Sequence, residues 1–374
     1  MNMEIQNQQR LMSLDALRGF DMLFIMGFAS LVISICNLFP GGSECCIAQN
    51  MIHVKWHGLT HHDTIFPLFL FIAGISWPYS YSKQLAAGAD RKHIYIKVLK
   101  RAVILIIFGI IYNGLFKLDF QNMRICSVLG RIGAAWGIAA CMYILFNART
   151  RAYICIAILL GYWALISLVP APDVPGADPL TKDGNLIGYI DRMITPGKLI
   201  SNNGRFDPEG LLSTIPAIVT AMLGMFTGEF VRNERKGLSG SRKALYMFAA
   251  AVLMLVIGLV WNQVFPINKK MWTSSFVMTV GAYSLAMFAL FYYVIDVKKC
   301  QKWTLFFRVI GMNSITIYMA QKILGFKNMN NFFFAGLASK LPEQWADVVI
   351  NMGYVAICWL FLYFLYRKKI FLKV

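Results

Sequence analysis

The chain carries few charged residues for its length of 374 residues. Asp, Glu, Lys and Arg make up 14% of it, whereas a soluble domain carries about 25%. Hydrophobic residues make up 58%, and the mean hydropathy is +0.57. These values exclude an ordinary soluble domain and predict a protein whose surface mostly faces lipid.

Acidic residues are scarce even within this small charged fraction. The sequence has 18 Asp and Glu against 36 Lys and Arg, which gives a formal net charge of +18. In a soluble protein such an excess would suggest nucleic acid. Here the Lys and Arg gather in alternate loops, as is typical of the cytoplasmic side of a membrane protein. We therefore expect membrane lipid, and no nucleic acid, around the chain.

Several short motifs are absent from the sequence. The first apolar run is long and follows charged residues, so it does not resemble a cleavable signal peptide. No CxxC spacing occurs, and no glycine-rich phosphate loop follows a strand. Cys45 and Cys46 are adjacent, so a disulfide between them would be strained. We expect neither a metal nor a nucleotide-hydrolysis site.

Long apolar runs are what the sequence has instead, and they favour helices over a closed barrel. The predicted fold is an all-α integral membrane protein, a bundle of about ten transmembrane helices. The expected spans are 16–39, 63–82, 100–117, 126–146, 152–170, 210–232, 244–264, 272–295, 305–325 and 346–366. The bias of basic residues predicts that both termini are cytoplasmic. We expect one domain, 1–374, whose longest outer loops are about 40–62 and 170–209.

The first of these outer loops holds most of the titratable histidines. Four of the five histidines, His53, His57, His61 and His62, lie there, just before an apolar run. Histidine gains and loses a proton near neutral pH, which suits general acid–base catalysis. Asp63 follows directly and is placed to orient a histidine. A helix N-terminal carboxylate is the structural alternative for Asp63, and the two roles are compatible.

A metal site is a further alternative for the histidines. His53, His57 and His61 recur every fourth residue and would share a face if the segment were helical. Gly58 and Thr60 make a continuous helix there doubtful, so we expect no metal.

Short motifs along nearly the whole chain identify a family. They are Arg10–Gly19 (RLMSLDALRG), the pattern HxxWxGLTxxDxxFPxFxFIxG from His53, Arg131-Ile-Gly, Gly188–Arg192 (GYIDR), Phe206–Gly210 (FDPEG), Pro266–Trp272 (PINKKMW), Gly311–Ile315 (GMNSI) and Tyr366–Phe371 (YRKKIF). In this order they resemble the heparan-alpha-glucosaminide N-acetyltransferase family.

This resemblance implies an activity. The family takes acetyl from acetyl-CoA on the cytosolic side and delivers it to the amine of a terminal glucosamine on the far side. His53 stands where the family has its catalytic histidine, and His57 stands where the animal enzyme has Asn. The chain would be a compact bacterial relative in the inner membrane, without the extra N-terminal luminal part and additional span of the animal enzyme.

Two chemical routes are open for such a transfer. In the direct route His53 removes a proton from the amine, which attacks acetyl-CoA. In the ping-pong route His53 takes the acetyl group and passes it on. We favour the direct route because it exposes no acyl-imidazole to water.

Other candidate residues divide between the two substrates. The candidates for the amino-sugar or glycan acceptor are Trp56, His57, Asp207, Glu209 and Asn313. Those for acetyl-CoA are Arg18, Lys97, Arg101, Arg131 and Ser314. Structural roles compete with each assignment: boundary tryptophan and basic residues are common in membrane proteins, and carboxylates near a proline often begin a helix.

A second class of function is a secondary transporter for a sugar or amine, because buried polar groups can line a pathway. The absence of a visible inverted repeat weighs against it. The sequence leaves a homodimer open.

Overall fold

The computed structural model describes residues 11–233 and 237–372, so Arg10 of the first motif and the chain ends lie outside the described residues. The described part consists of helices and loops with isolated β-bridges only, as predicted. The helices are α1 Met12–Cys36, α2 Cys46–Asn50, α3 His61–Ala86, α4 Arg91–Tyr112, α5 Val128–Leu145, α6 Ala148–Leu168, α7 Leu186–Ile194, α8 Thr214–Arg232, α9 Gly240–Trp261, α10 Ser274–Val297, α11 Thr304–Gly311, α12 Ser314–Ile323, α13 Phe326–Ala338 and α14 Glu343–Arg367.

Eight of the described helices are long and apolar enough to cross a membrane: α1, α3, α5, α6, α8, α9, α10 and α14. The protein is therefore an all-helical membrane protein. The count of about ten spans and the orientation of the termini stay predictions.

The two remaining predicted spans differ from the expectation. Only residues 100–112 of the span 100–117 lie in α4, which begins nine residues earlier at Arg91, ends at Tyr112 and carries several basic residues in its first turns. The span 305–325 is two helices, α11 and α12, because the backbone leaves the helical conformation at Asn313 (φ −126°, ψ 30°). The outer loops also contain short helices, α2 and α7, and α13 was not predicted.

Helix α3 lies at the centre of the bundle and packs closely against α8. Glycine permits this approach: a Cβ on Gly224 would lie 2.1 Å from the Phe71 carbonyl oxygen, and one on Gly228 would lie 2.3 Å from that of Ile75. The contact holds the histidine-bearing start of α3 against the rest of the bundle.

Helix α1 crosses α11 at a similar glycine contact and contains a π-helical turn. A Cβ on Gly19 would lie 1.8 Å from the Phe307 carbonyl oxygen. The π turn spans Phe24–Phe28, and Gly27 has φ 110° within it. Gln321 on α12 donates a hydrogen bond to the Ile25 carbonyl oxygen at 3.5 Å, so a backbone group of the irregular turn is paired inside the apolar bundle.

Candidate active site

The His53 ring is paired with the Asp63 carboxylate, as the sequence suggested. His53 Nδ1 lies 2.7 Å from Asp63 Oδ1. The Asp63 side chain is 3% exposed, whereas that of His53 is 53% exposed. When Nδ1 carries the proton and donates it to Asp63, Nε2 is left with a lone pair. The geometry therefore provides a histidine whose free nitrogen can accept a proton or an acyl group.

The start of α3 fixes the carboxylate in place. Asp63 Oδ2 accepts hydrogen bonds from the Thr60 hydroxyl at 2.9 Å, the Thr60 backbone N–H at 3.4 Å and the Val54 N–H at 3.2 Å. A carboxylate at the third helical position commonly caps the N-cap residue in this way, and the helix dipole favours its negative charge. Asp63 thus both begins α3 and orients His53.

Lys269, in the loop between α9 and α10, completes this cluster. Its Nζ lies 3.3 Å from Asp63 Oδ1 and 3.3 Å from His53 Nδ1. Burial lowers the pKa of Lys269, and the nearby Asp63 carboxylate opposes that shift. Lys269 therefore shares the Asp63 carboxylate with His53.

The loop that carries Lys269 runs along the histidine loop. The Gly58 N–H donates to the Ile267 carbonyl oxygen at 2.8 Å, and Lys270 Nζ donates to the Lys55 carbonyl oxygen at 2.9 Å. These contacts join two loops that are more than 200 residues apart in the sequence.

Trp56 and His57 lie beside the cluster on the same loop. Asn268 Nδ2 lies 3.3 Å from His57 Nδ1. Trp56 Nε1 donates to the Leu180 carbonyl oxygen at 2.9 Å, and its ring meets that of Phe206 edge-on at 5.8 Å. Trp56 thus fastens the histidine loop to the predicted outer loop 170–209.

Asp207 and Glu209 are already paired with a cation, Arg124. The Arg124 guanidinium binds Asp207 in a bidentate manner at 2.7 and 2.6 Å and also contacts Glu209. The two carboxylates raise the pKa of Arg124 above its usual range against the effect of burial, which is the largest contribution and lowers it. Asp207 is fully buried, so it holds Arg124 in place, whereas Glu209 also influences Lys269 electrostatically.

Asp191 and Arg131 border this ion pair. Asp191 Oδ2 accepts the Asp207 N–H at 3.2 Å, and burial raises the pKa of Asp191 to about 6. Arg131 is buried, contacts the Ser213 hydroxyl and lies 5.0 Å from the Trp272 ring centroid. Its Nε and Nη1 have no hydrogen-bond partner among the described residues. Arg131 therefore lies beside the Arg124–Asp207 ion pair rather than with the other basic residues predicted for CoA.

Two of those basic residues, Arg18 and Arg101, lie within electrostatic range of each other. Arg18 Nη2 lies 3.4 Å from Ser76 Oγ on α3, and the charge of Arg18 acts on Arg101. The Arg101 guanidinium lies 4.3 Å from the Trp136 ring centroid. Ser76 is thirteen residues along α3 from Asp63, about 20 Å at the rise of an α-helix. The arginine pair therefore lies far along α3 from the His53–Asp63 pair, which we call the dyad.

Three candidate substrate-binding residues remain, Lys97, Asn313 and Ser314. Lys97 is exposed on α4. Asn313 Nδ2 donates to the Ile370 carbonyl oxygen at 3.1 Å, beyond the end of α14. Ser314 is buried at the start of α12. Their assignments to substrates stay predictions.

The metal alternative required a helix over 53–61, and α3 begins only at His61. Over residues 11–233 and 237–372, no group of three or more His, Cys, Asp or Glu is arranged to hold a metal ion.

Two cavities lie away from the His53–Asp63 dyad. A polar cleft of about 670 Å³ opens among the outer loops and includes Arg192, Lys198 and Asn203 in its lining. An apolar cavity of about 250 Å³ lies between α3, α8, α9 and α10. His53, Asp63 and Lys269 line neither of them.

Sequence reasoning missed Lys269 and Arg124. Lys269 lay within the PINKKMW motif, but a pair of lysines before a span is also typical of a membrane boundary. Arg124 had no motif of its own. It lies 83 residues before its partner Asp207, so no signal in the sequence joins the two.

The chain resembles characterised proteins over most of its length. It is 28% identical to the human protein named "Heparan-alpha-glucosaminide N-acetyltransferase", over 98% of this chain and 60% of the human protein. It is also 28% identical to the mouse protein of the same name, over 86% of this chain and 56% of the mouse protein. The chain spans well under two thirds of the length of these relatives. The motif-based resemblance is confirmed, and the chain is a relative of these proteins.

A family model also matches the N-terminal part of the chain. Its description is "Domain of unknown function (DUF5009)", and it covers residues 10–149. This match includes His53 and Asp63 and the first four of the ten predicted spans.

Proposed function

We propose that the protein is a membrane-bound acetyltransferase. It transfers acetyl from cytosolic acetyl-CoA to the amine of an amino sugar or glycan of the glucosamine type on the opposite side of the membrane. The observation that carries this proposal is the His53–Asp63 pair, 2.7 Å apart, in a chain related to N-acetyltransferases over 98% of its length. The proposed location is a bacterial inner membrane, with both termini in the cytoplasm.

In the direct mechanism the dyad acts as a general base. An amine attacks a thioester only as the free base, and His53 Nε2 can remove the proton of the attacking nitrogen. Asp63 holds the ring by Nδ1, in the tautomer that leaves Nε2 free, and stabilises the imidazolium that forms. The same Nε2 would carry the acetyl group in a ping-pong mechanism.

The acceptor amine is proposed to bind on the outer side of the dyad. Trp56 presents an aromatic face at the histidine loop, and Glu209 supplies a carboxylate in the electrostatic range of Lys269. A sugar ring can stack on the former while its ammonium approaches the latter. Further sugar units of a glycan can extend towards the polar cleft of the outer loops.

The CoA moiety is proposed to bind at the arginine pair. Arg18 lies 3.4 Å from Ser76 and within electrostatic range of Arg101, and guanidinium groups pair well with phosphates. The pantetheine arm would then extend along α3 towards His53.

The experiment that tests this proposal is an assay of CoA thiol release. Purified protein in lipid nanodiscs receives acetyl-CoA with glucosamine, with heparin-derived oligosaccharides or with cell-wall fragments. We expect thiol release that depends on the amine, and loss of release in His53→Ala with the folded helical content unchanged. Substrate uptake without thiol release would support a transporter and overturn the proposal.

A further inference from the structure

Polar side chains continue from the dyad into the interior of the bundle. The His62 ring centroid lies 4.4 Å from that of His53. One residue earlier, the His61 ring lies 6.0 Å from that of Tyr283 on α10, and the Tyr283 hydroxyl makes a hydrogen bond with Thr64. Tyr283 also lies within the electrostatic range of Asp21 on α1.

Asp21 is an unusual residue at such a depth. It is 2% exposed, and its Oδ2 has no hydrogen-bond partner among the described residues. An isolated carboxylate in an apolar interior is very costly, whereas the neutral acid avoids most of that cost. Ionisable residues inside membrane spans are rare and usually have a functional role. The acid therefore needs a functional explanation.

Asp21 lies between the proposed site for CoA and the proposed site for the acceptor amine. Arg18 precedes Asp21 by one helical turn on α1. Its Nη2 lies 3.4 Å from Ser76 Oγ, and its charge acts on Arg101. One helical turn further along α1, the Phe24 ring centroid lies 4.5 Å from that of His61, which itself lies 6.0 Å from the Tyr283 ring. Helix α11 presents the backbone of Phe307 at the crossing near Gly19. A π-helical turn, a feature often found at functional sites, begins three residues after Asp21.

In the proposed reaction the departing sulfur takes up a proton. An ammonium group with three protons becomes an amide nitrogen with one, so two protons leave the nitrogen. The N–C bond forms as the C–S bond breaks, and the sulfur leaves with the electron pair of that bond. One proton must reach this sulfur to give the CoA thiol, and the other goes to the outer medium. The His53 imidazolium forms at the attacking nitrogen, so a separate acid at the sulfur would protonate it without the imidazolium having to move from the nitrogen to the sulfur.

We propose that Asp21 is the acid that protonates the departing CoA sulfur. This inference rests on the proposed acetyltransferase function. The proton passes from the Asp21 carboxyl to the sulfur, which leaves the carboxylate. Tyr283 and His61 then return one of the protons that His53 removed from the amine, so that Asp21 is neutral again before the next cycle. Asp15 and Arg18 on the same helix lie towards the CoA side.

The test compares Asp21→Asn, Asp21→Glu and the control Ser34→Ala in nanodiscs. Ser34 is buried on the same span and donates only to the Leu31 carbonyl oxygen of its own helix. We expect Asp21→Asn to lower kcat about 10²-fold with KM for acetyl-CoA nearly unchanged. Asp21→Glu should recover part of kcat, and Ser34→Ala should match the wild type.

A second donor makes the role of Asp21 specific. The oxygen-ester analogue of acetyl-CoA releases a more basic group, which depends more on an acid. The loss of kcat in Asp21→Asn should therefore be larger with the ester than with the thioester. Equal losses with both donors would indicate a structural role and overturn the inference.

One infrared and one thermal measurement test the role of Asp21 separately from the proposed function. The infrared spectrum of the wild type should contain a protonated carboxyl band that Asp21→Asn lacks, and Asp21→Asn should melt no lower than the wild type. Wild-type turnover together with unchanged kcat in Asp21→Asn overturns the role of Asp21 alone. A wild type that releases no CoA overturns the proposed function, and the role of Asp21 with it.

Discussion

Replacing Asp63 with Asn changes one charge while keeping the shape of the side chain. The carboxylate contacts His53 Nδ1 at 2.7 Å, Lys269 Nζ at 3.3 Å and groups of Val54 and Thr60. Asn can keep an oxygen towards Thr60, and Asn caps helices about as well as Asp. Its amide N–H₂ then faces His53, which must accept at Nδ1 and carry its proton on Nε2.

This reversed tautomer has no lone pair on the nitrogen that the mechanism uses. General base catalysis is worth about 10²–10⁴-fold in rate, or roughly 3–5 kcal/mol of activation free energy. We therefore expect Asp63→Asn to lower kcat for CoA release by about that factor, while KM for the amine changes much less.

The same substitution affects stability through Lys269. The mostly buried ammonium loses its carboxylate, which costs about 1–3 kcal/mol. The double variant Asp63→Asn/Lys269→Met should recover this stability, measured by thermal melting, without recovering kcat. The matched control is Asp119→Asn, an exposed loop carboxylate that also accepts a backbone N–H. A kcat of Asp63→Asn within twofold of the wild type would refute the orienting role of Asp63.

Three further predictions concern pH, topology and the acceptor. The pKa of Asp191 in the folded protein is about 6, above its ordinary value of 3.8. The stability that the protonated carboxyl contributes is therefore present below about pH 4 and is lost as pH rises through 6. Asp191→Asn should therefore raise the melting temperature at pH 7.5, by an amount equivalent to at most about 3 kcal/mol, and leave it unchanged at pH 4; a lower melting temperature at pH 7.5 would contradict this. An impermeant maleimide added outside intact cells should label the exposed Cys46 and spare the exposed Cys300, and the reverse pattern would invert the proposed orientation. His57→Asn should keep substantial kcat because an Asn side chain can also hydrogen-bond Asn268, the partner of His57. Complete loss in the same thiol assay would place His57 in the essential machinery.

The helical fold was predictable from composition because long apolar runs leave few alternatives in lipid. The break between α11 and α12 at Asn313 was not predictable, since one polar residue in an apolar run also occurs in unbroken spans. The start of α3 was predicted to within two residues because Asp63 has the chemistry of a helix N-terminus.

The site was predictable only where its residues are close in sequence. His53 and Asp63 lie ten residues apart, and their types alone suggested the pair. Lys269 joins them only through the contact of two distant loops, and Asp207 binds an arginine 83 residues away. Such long-range pairings depend on helix packing, which hydropathy does not specify.

The most direct test of the central proposal is acetyl transfer across a membrane. Proteoliposomes are loaded with acetyl-CoA labelled in the acetyl group, and glucosamine is added outside; only protein whose inner face meets the lumen contributes. We predict labelled N-acetylglucosamine outside, unlabelled CoA retained inside, and no labelled product with His53→Ala. Labelled product only when both substrates are on the same side, or full transfer by His53→Ala, would contradict it.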